Sequence, residues 1–152
     1  MQASTSPRVS STRLADELGL FLKHVLRSTH RDFFSSLQAA GISFTQLKCL
    51  GLLADAGEPV SLGVLADEIG LSLPAVSRAV DGLVQRGELK REEDPGDRRS
   101  KLLTVTARGR ATYERVVAVR AAGVRRFVEG LEPDEREALG AAVGPIVERL
   151  RR

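Results

Sequence analysis

Residues 71–106 read LSLPAVSRAVDGLVQRGELKREEDPGDRRSKLLTVT, a pattern that predicts one helix followed by a β-hairpin. Ser72 is placed to cap the helix, because its hydroxyl can accept from a free amide of the first turn. Pro74 lies in that turn, where a missing N–H costs nothing. Gly87 should end the helix, since glycine tolerates the left-handed conformation of a C-terminal cap. One helix face is apolar at helical spacing, with Val76, Ala79, Val80 and Leu83.

The predicted hairpin has two short extended runs, Leu89 to Glu92 and Leu102 to Thr106, joined by a turn at Pro95 and Gly96. Its tip carries four charged residues: Asp97, Arg98, Arg99 and Lys101. The outer face of the preceding helix carries short polar side chains and a positive charge, which suits insertion into a groove. A helix that fits the major groove of DNA beside a basic hairpin is the arrangement of a winged helix-turn-helix.

A helix-turn-helix also needs a first helix, which the sequence LGVLADEIG predicts. Ser61 caps this two-turn helix, and Gly70 turns the chain toward the groove-facing helix. Upstream, Ser43 with Gln46 predicts a capping box at the start of a further helix. Residues 60–62 form a short extended piece that could add a third strand to the hairpin sheet.

The sequence resembles the MarR family of bacterial and archaeal transcriptional regulators. Three stretches carry the resemblance: FTQLKCLGLLADAG, SLPAVSRAVDGLVQRG and DPGDRRSKLLTVTARGR. The family's wing pattern is Asp-x-Arg, five residues, then Leu-Thr. Asp97, Arg99 and Thr106 match it, and Val105 replaces the leucine conservatively. The resemblance covers the chain from about residue 14 to residue 150.

We therefore expect a mostly α (α+β) fold, with a winged helix-turn-helix lobe at residues 42–108. Dimerisation helices at residues 13–41 and 109–152 would flank it in a single domain, after a disordered leader at residues 1–12. The expected function is sequence-specific regulation of transcription, by a ligand-responsive repressor that binds a pseudo-palindromic operator as a homodimer. Two alternatives remain: redox sensing through the single thiol, Cys49, and a winged-helix protein-interaction module without DNA binding.

Apolar helical stripes at both ends of the chain are the reason to expect a dimer. The first helix, about residues 13–40, is closed by Gly41, and Thr106 is a plausible N-cap for the helix after the hairpin. A last helix runs from about Pro133, and Pro145 inside it should kink it or divide it. A small lobe cannot cover these stripes alone, and a two-fold dimer buries them most simply.

Five residues on the groove-facing helix are candidates for DNA contacts: Ser72, Pro74, Ala75, Ser77 and Arg78. Arg78 is long enough to meet a guanine edge with two hydrogen bonds, and Ala75 can meet a thymine methyl group. Ser72 and Ser77 are better suited to phosphates. The alternative is an ordinary solvated helix face.

The wing supplies the other DNA-binding candidates. In the resembling family the arginine of Asp-x-Arg reaches the minor groove and the aspartate orients it, which implies these roles for Arg99 and Asp97. A guanidinium in a minor groove narrowed by A·T sequence responds to shape more than to base identity. Arg98 and Lys101 would contact phosphates, and Arg91 would do the same or simply decorate its strand. The alternative is an exposed ion pair of little energetic value.

The charge is distributed as this hypothesis requires. The formal net charge is only +3. Residues 42–71 hold one basic residue against four acidic ones, whereas residues 97–110 hold five basic residues against one acidic residue. Positive charge is therefore concentrated where a wing would meet the phosphate backbone.

Three further residues could take part in regulation. Cys49 lies in the middle of a helix with no second cysteine in the chain. A buried filler is the better interpretation, since sensing thiols in such relatives usually lie in the first helix. His24 and His30 lie on that first helix, where the family's effector pocket is partly built. The resemblance implies that they could line a pocket for a small aromatic or phenolic effector; the alternative is a surface or interface role.

Several classes of protein are disfavoured by composition. Hydrophobic residues make up 42% and charged residues 28% of the chain, which is ordinary for a globular protein. No apolar run could span a membrane, and the N-terminus lacks the apolar core of a signal peptide, so we expect a cytoplasmic protein. No residues have metal-ligand spacing, and no catalytic set or phosphate-binding loop is visible. We expect no cofactor and no enzymatic activity.

Overall fold

A computed structural model describes residues 10–96 and 100–151. The helices of this described part are α1 (Ser11–Ala40), α2 (Phe44–Ala56), α3 (Leu62–Ile69), α4 (Leu73–Gln85), α5 (Ala107–Glu129) and α6 (Pro133–Leu150). Its strands are β1 (Val60–Ser61), β2 (Leu89–Glu93) and β3 (Lys101–Val105). The prediction of a mostly α fold with a small hairpin sheet is confirmed.

The strands form one antiparallel sheet in the order β1-β3-β2. Leu89 lies opposite Val105, and Val60 lies opposite Leu103. The short extended piece before α3 does become a third strand, and it pairs with β3 rather than with β2. The hairpin strands match their predicted bounds to within one residue.

Side-chain caps fix the starts of three helices as the sequence predicted. The Ser43 hydroxyl accepts from the Gln46 amide at 3.1 Å while the Gln46 side chain accepts from the Ser43 amide at 2.9 Å, so the capping box is present. The Ser61 hydroxyl accepts from the Val64 amide at 3.3 Å. The Thr106 hydroxyl accepts from the Gly109 amide at 3.1 Å and so caps α5.

The prediction for the Ser72 hydroxyl is wrong. Ser72 is the N-cap residue of α4, but its side chain makes no capping hydrogen bond. Pro74 has no N–H to offer. The amides of Ala75 and Val76 donate instead to the Ser72 carbonyl, at 2.9 and 3.1 Å. The first turn is therefore closed by backbone hydrogen bonds, and the hydroxyl is left on an exposed residue.

The C-terminal end of α4 is closed by a Schellman motif, as the glycine predicted. Gly87 has φ +69°. The Glu88 amide donates to the Leu83 carbonyl and the Gly87 amide donates to the Val84 carbonyl, both at 2.9 Å. The carbonyls of Leu83 and Val84 are therefore both paired where the chain leaves α4 and enters β2.

The last helix, α6, runs without interruption through Pro145. Of the two outcomes predicted for this proline, division of the helix does not occur. Proline removes one N–H donor, so the carbonyl four residues earlier, on Ala141, loses its helical partner. Ala141 and its neighbours are exposed in this chain, so water can reach that carbonyl.

The described residues form two compact units, which are considered separately. One unit is Asp32–Arg120, and it extends beyond the predicted winged lobe at both ends. Its core joins α2, α3, α4, β3 and α5, and its most buried side chains are Cys49, Leu50, Leu65, Val76, Val80, Leu83, Leu103 and Val116. Packing of three α4 residues into this core fixes which face of α4 remains outside.

The other unit is the described part of Met1–Arg31 with Ala121–Arg152. Thr29 is buried in it, and a Cβ built on Gly123 would lie 2.2 Å from the Thr29 methyl carbon. Glycine therefore permits close contact between these segments of α1 and α5. The rings of Phe21 and Phe127 meet edge to face with centres 5.4 Å apart. Among the described helices, none is long and apolar enough to cross a membrane.

Candidate nucleic-acid interface

The five predicted DNA-contact residues of α4 lie together on one surface, here called the recognition face: Ser72, Pro74, Ala75, Ser77 and Arg78. Ser72, Pro74 and Arg78 are exposed, while Ala75 and Ser77 are half-buried. Helical periodicity explains this surface, because the side chains on the opposite side of α4 point into the core. Val76 and Val80 are completely buried.

The recognition face is supported from behind by α2. Gln46 donates from Nε2 to the Ala79 carbonyl of α4 at 3.2 Å. Gly82 leaves room for this contact, since a Cβ there would lie 2.7 Å from the same Nε2 atom. Lys48 donates from Nζ to the Ile69 carbonyl at 3.1 Å, which pairs the carbonyl of the last residue of α3. Both helices of the helix-turn-helix are thus held by polar side chains of α2.

An ion pair that the sequence analysis missed joins α4 to the wing. Arg91 Nη2 of β2 lies 2.8 Å from Asp81 Oδ1 of α4. Arg91 is half-buried whereas its strand neighbours Lys90 and Glu92 are exposed. Arg91 therefore does not simply decorate its strand, because it pairs with Asp81 of α4. Opposite charges on the two segments were visible in the sequence, but their register was not.

A second missed feature is a buried carboxylate just beyond α4. Glu88 is only 4% exposed. Arg86 donates to Glu88 Oε2 from Nη2 at 2.7 Å and from Nε at 3.0 Å. Thr112 of α5 donates to Glu88 Oε1 at 2.9 Å, and Arg86 also donates from Nη1 to the carbonyl of Gly41. These four residues are called the Glu88 network. No local pattern marks it, because a glutamate after a turn is ordinarily exposed.

Three of the four predicted wing residues, Asp97, Arg98 and Arg99, lie outside the described residues. The fourth, Lys101, donates from Nζ to Glu93 Oε1 at 2.9 Å, which lowers the pKa of that carboxyl. The Asp94 amide donates to the Ser100 carbonyl at 3.2 Å, which closes the hairpin beyond its paired strands. The positive charge of Lys101 is therefore paired with the negative charge of Glu93 on the neighbouring strand.

Cys49 is completely buried, as the preferred interpretation requires. Burial raises the pKa of the Cys49 thiol to about 11. At pH 7 only roughly one such thiol in ten thousand is ionised, and it is the thiolate that reacts with oxidants. A redox role would therefore require local unfolding of α2.

We expect the Cys49 thiol to be inert in the folded protein. Ellman's reagent should label it only after addition of denaturant, and hydrogen peroxide should not change DNA affinity. Cys49→Ser should match the wild type in DNA affinity and peroxide response. Release of the wild type from DNA by peroxide, with no release of Cys49→Ser, would show that Cys49 is a sensor.

The two histidines proposed for an effector pocket are not brought together. His24 lies against the Phe127 ring, with ring centres 5.9 Å apart. His30 lies on an open groove along α1, together with Leu22 and Leu26. No group of three or more histidine, cysteine or acidic side chains in the described part of the chain could hold a metal ion.

A cavity of about 400 Å³ lies within the Asp32–Arg120 unit and is called the Tyr113 cavity. It is lined by Phe33, Phe44, Leu47, Lys48, Gly51, Leu52, Asp55, Glu68, Tyr113, Val117 and Arg120. A Cβ on Gly51 would lie 2.8 Å from the Tyr113 ring, so glycine gives this ring its place against α2. The Arg120 guanidinium carbon lies 5.1 Å from the centre of the Phe33 ring. The cavity is therefore largely aromatic and aliphatic, with charged residues at its wall.

An exposed helix after a tight turn, backed by a core and followed by an antiparallel hairpin, defines a winged helix-turn-helix DNA-binding protein. Residues 40–100 match the MarR family model. ML2140 of Mycobacterium leprae, an HTH-type transcriptional regulator, is 32% identical over 144 residues, which cover 93% of this chain and 95% of that protein. The chain therefore belongs to the MarR family of DNA-binding transcriptional regulators. The family and ML2140 are transcriptional regulators, which agrees with the expectation of a non-enzymatic protein.

Other relatives are matched over different lengths. YkoM of Bacillus subtilis is 31% identical over 99 residues, and the match covers 65% of this chain and 64% of YkoM, just under two thirds. The transcriptional repressor MdtR of the same organism is 25% identical over 126 residues, with 83% and 81% coverage.

Solved structures share the fold. RV1404 of Mycobacterium tuberculosis has a TM-score of 0.73 at 27% identity, with 95% of this chain and 97% of that chain covered. A mutant of MepR from S. aureus, bound to an oligodeoxyribonucleotide, has a TM-score of 0.69 at 19% identity, with 88% and 97% covered.

Proposed function

We propose that this chain acts in the cytoplasm as a homodimeric, ligand-responsive repressor that binds a pseudo-palindromic operator. The observation that carries the proposal is the recognition face, an exposed surface of α4 that α2 and the core hold in place. Two α4 helices related by a dyad would enter successive major grooves about 10 base pairs apart.

Each residue of the recognition face has a proposed contact. Arg78 donates two hydrogen bonds to a guanine edge, and Ala75 contacts a thymine methyl group. Ser72 and Ser77 donate to phosphates, and the lack of a capping bond leaves the Ser72 hydroxyl available for this. Pro74 packs against the sugar-phosphate backbone. Phosphate contacts set the register, while the base contacts select the sequence.

For the wing we propose that Arg99 enters the minor groove, oriented by Asp97, while Arg98 and Lys101 contact phosphates. The hairpin that bears them is closed at Asp94 and Ser100, and Arg91 ties its strand β2 to α4. Approach of DNA would draw Lys101 from Glu93 toward a phosphate. This exchange costs little, because the side chains of Lys101 and Glu93 are 42% and 67% exposed.

Replacing Arg99 by Ala should weaken binding to all duplexes and lower the slope of log affinity against log salt by about one unit. Loss of sequence preference should be confined to A·T-rich positions flanking the half-sites. Asp97→Ala should give a milder form of the same defect. Titrations at several salt concentrations on operator, flank-swapped operator and random duplex measure this. Wild-type behaviour of Arg99→Ala on all three duplexes would exclude the minor-groove role.

The homodimer is proposed from apolar side chains that this chain leaves exposed in the unit of the terminal helices. On α1 these are Leu14, Leu18, Leu22 and Leu26, and on α6 they are Val143, Ile146 and Leu150. Soluble monomers rarely expose such contiguous apolar surface. A second copy of the same chain covers it with matching surface under two-fold symmetry.

Leu22→Glu should convert the dimer into a monomer, because it places a charge in the middle of the proposed interface. Leu20→Glu is the matched control, since Leu20 is also exposed but lies on the other side of α1. Analytical ultracentrifugation measures the association state of each variant. A wild type that sediments as a monomer, or a Leu22→Glu variant that remains dimeric, would contradict the proposed interface.

The ligand response is proposed from the Tyr113 cavity. Its aromatic residues Phe33, Phe44 and Tyr113 suit a small aromatic ring. Its wall holds two cations, Lys48 and Arg120, which could pair with an acidic group on that ring, and two carboxylates, Asp55 and Glu68. His24 and His30, implied by the family resemblance, line no part of this cavity, and a role for them in binding would need a separate surface. Ligand binding would change the spacing of the two DNA-binding lobes of the dimer.

Footprinting of the purified protein on the DNA upstream of its own gene tests the proposed function. We expect a protected pseudo-palindrome, and loss of protection with some members of a panel of small aromatic acids. A transcription assay on the same promoter distinguishes repression from activation. Equal affinity for every genomic fragment and for random duplex would contradict sequence-specific regulation.

A further inference from the structure

Helix α4 is anchored at its C-terminal end by the Glu88 network, which lies away from the recognition face. Arg86 is the C-cap residue of α4, and its guanidinium contacts both Glu88 and the carbonyl of Gly41. The other carboxylate oxygen of Glu88 accepts from Thr112. The end of α4 is therefore joined directly to the start of β2, to the residue after α1 and to α5.

The centre of the Glu88 network is buried, and the hydrogen bonds of the network hold the end of α4 in a defined orientation. Glu88 and Thr112 are each only 4% exposed, so water cannot replace a lost partner without structural change. Both carboxylate oxygens are occupied, one by a cation and one by a hydroxyl. Hydrogen bonds weaken steeply with angle, whereas apolar packing does not depend on direction in this way. The network therefore adds hydrogen bonds of fixed direction at the end of α4 to the apolar packing of its buried face.

The backbone around Glu88 is equally constrained. The Thr106 hydroxyl donates to the Gly87 carbonyl at 2.8 Å, and the Thr106 amide donates to the Glu88 carbonyl at 3.1 Å. A Cβ on Gly109 would lie 2.1 Å from the same carbonyl oxygen, so α5 passes directly against it. These contacts fix the backbone at the C-terminal end of α4.

Because α4 is long, a small tilt about its C-terminal end displaces its N-terminal first turn by a large distance. With 13 residues and a rise of about 1.5 Å per residue, the first turn lies about 18 Å from the anchor. A tilt of about 5° would displace that turn by about 1.5 Å, more than a hydrogen bond to a base edge tolerates. In the first turn Val76 is packed into the core, but Ser72 makes no side-chain cap that would add a hydrogen bond of fixed direction there.

We propose that Arg86, Glu88 and Thr112 are positioning residues for sequence readout, which set the tilt of α4 without contacting DNA. The proposal rests on the proposed role of α4 in base recognition. Misalignment of α4 should weaken contacts to base edges more than contacts to phosphates, because phosphate contacts tolerate displacement and supply most non-specific affinity. Discrimination between operator and random DNA should therefore fall while random binding persists.

Thr112→Val is the decisive variant, since it keeps the size of the side chain and removes only the donor to Glu88. We expect operator affinity to fall about fivefold, which corresponds to the loss of one hydrogen bond between α4 and a base edge. Affinity for random duplex should be unchanged. Thr112→Ser restores the donor and should restore the operator-to-random ratio. Glu88→Gln, which weakens the contact with Arg86, should lower the ratio at least as far as Thr112→Val.

Glu92→Gln is the matched control, because it removes the same charge from the exposed pair with Lys90 on the same strand. It should change both affinities alike and leave their ratio intact. The proposal is overturned if folded Thr112→Val and Glu88→Gln keep the wild-type ratio, or if both duplexes lose affinity in parallel. If the wild type itself shows no preference for any genomic duplex, the proposed function fails and the positioning role fails with it.

Discussion

Replacing Arg78 by Ala should lower operator affinity by about 1–3 kcal/mol and change affinity for random DNA little. Arg78 is exposed on the recognition face, and it has the reach and the planar donor pair that a guanine edge requires. Truncation removes both hydrogen bonds and leaves the guanine acceptors unpaired in the interface. Arg78→Lys should recover little of the loss, since lysine keeps the charge but not the paired donors.

The measurement is a titration of each variant on operator and random duplex at one salt concentration. Arg115→Ala is a suitable control, because Arg115 is exposed on α5 and carries the same charge. An equal loss on both duplexes would mean that Arg78 binds phosphate. Selective loss on the operator for Arg115→Ala as well would point to a general electrostatic effect.

Gly109→Ala should destabilise the folded protein by about 3 kcal/mol, through overpacking at the start of α5. The added Cβ would lie 2.1 Å from the Glu88 carbonyl oxygen and 3.1 Å from a methyl carbon of Leu50. Neither neighbour can yield easily, since one is backbone and the other is completely buried. The corner that holds the Glu88 network would have to open, so operator binding should decline as well.

Gly63→Ala tests the same substitution where space is available. Gly63 lies in the first turn of α3, and a Cβ there meets nothing closer than the Ser61 hydroxyl at 4.0 Å. Alanine favours a helix, so this variant should be unchanged or more stable by up to about 1 kcal/mol. Urea denaturation measures both variants. A Gly109→Ala stability within 0.5 kcal/mol of the wild type, roughly the effect of a surface substitution, would mean that α5 can shift at no cost.

The sequence by itself determined the helices and strands and the face of α4 that remains exposed. Capping at Ser43, Ser61 and Thr106 and the turn at Gly87 depend on residues within a few positions of one another, so local rules suffice. The spacing of Val76, Val80 and Leu83 shows which side of α4 is buried without reference to any partner. The Ser72 hydroxyl is the exception, because a proline two residues later removed one donor and the backbone took the other.

Only the tertiary structure decided how α4 is held and where the Tyr113 cavity lies. The Asp81–Arg91 pair depends on the position of β2 against α4, and the Glu88 network depends on α5 crossing within hydrogen-bond distance of a turn. The Tyr113 cavity depends on the absence of a side chain at Gly51, opposite a ring sixty-two positions further along the chain. These contacts join atoms that are distant in the chain, and their geometry follows from packing rather than from any local pattern of residues.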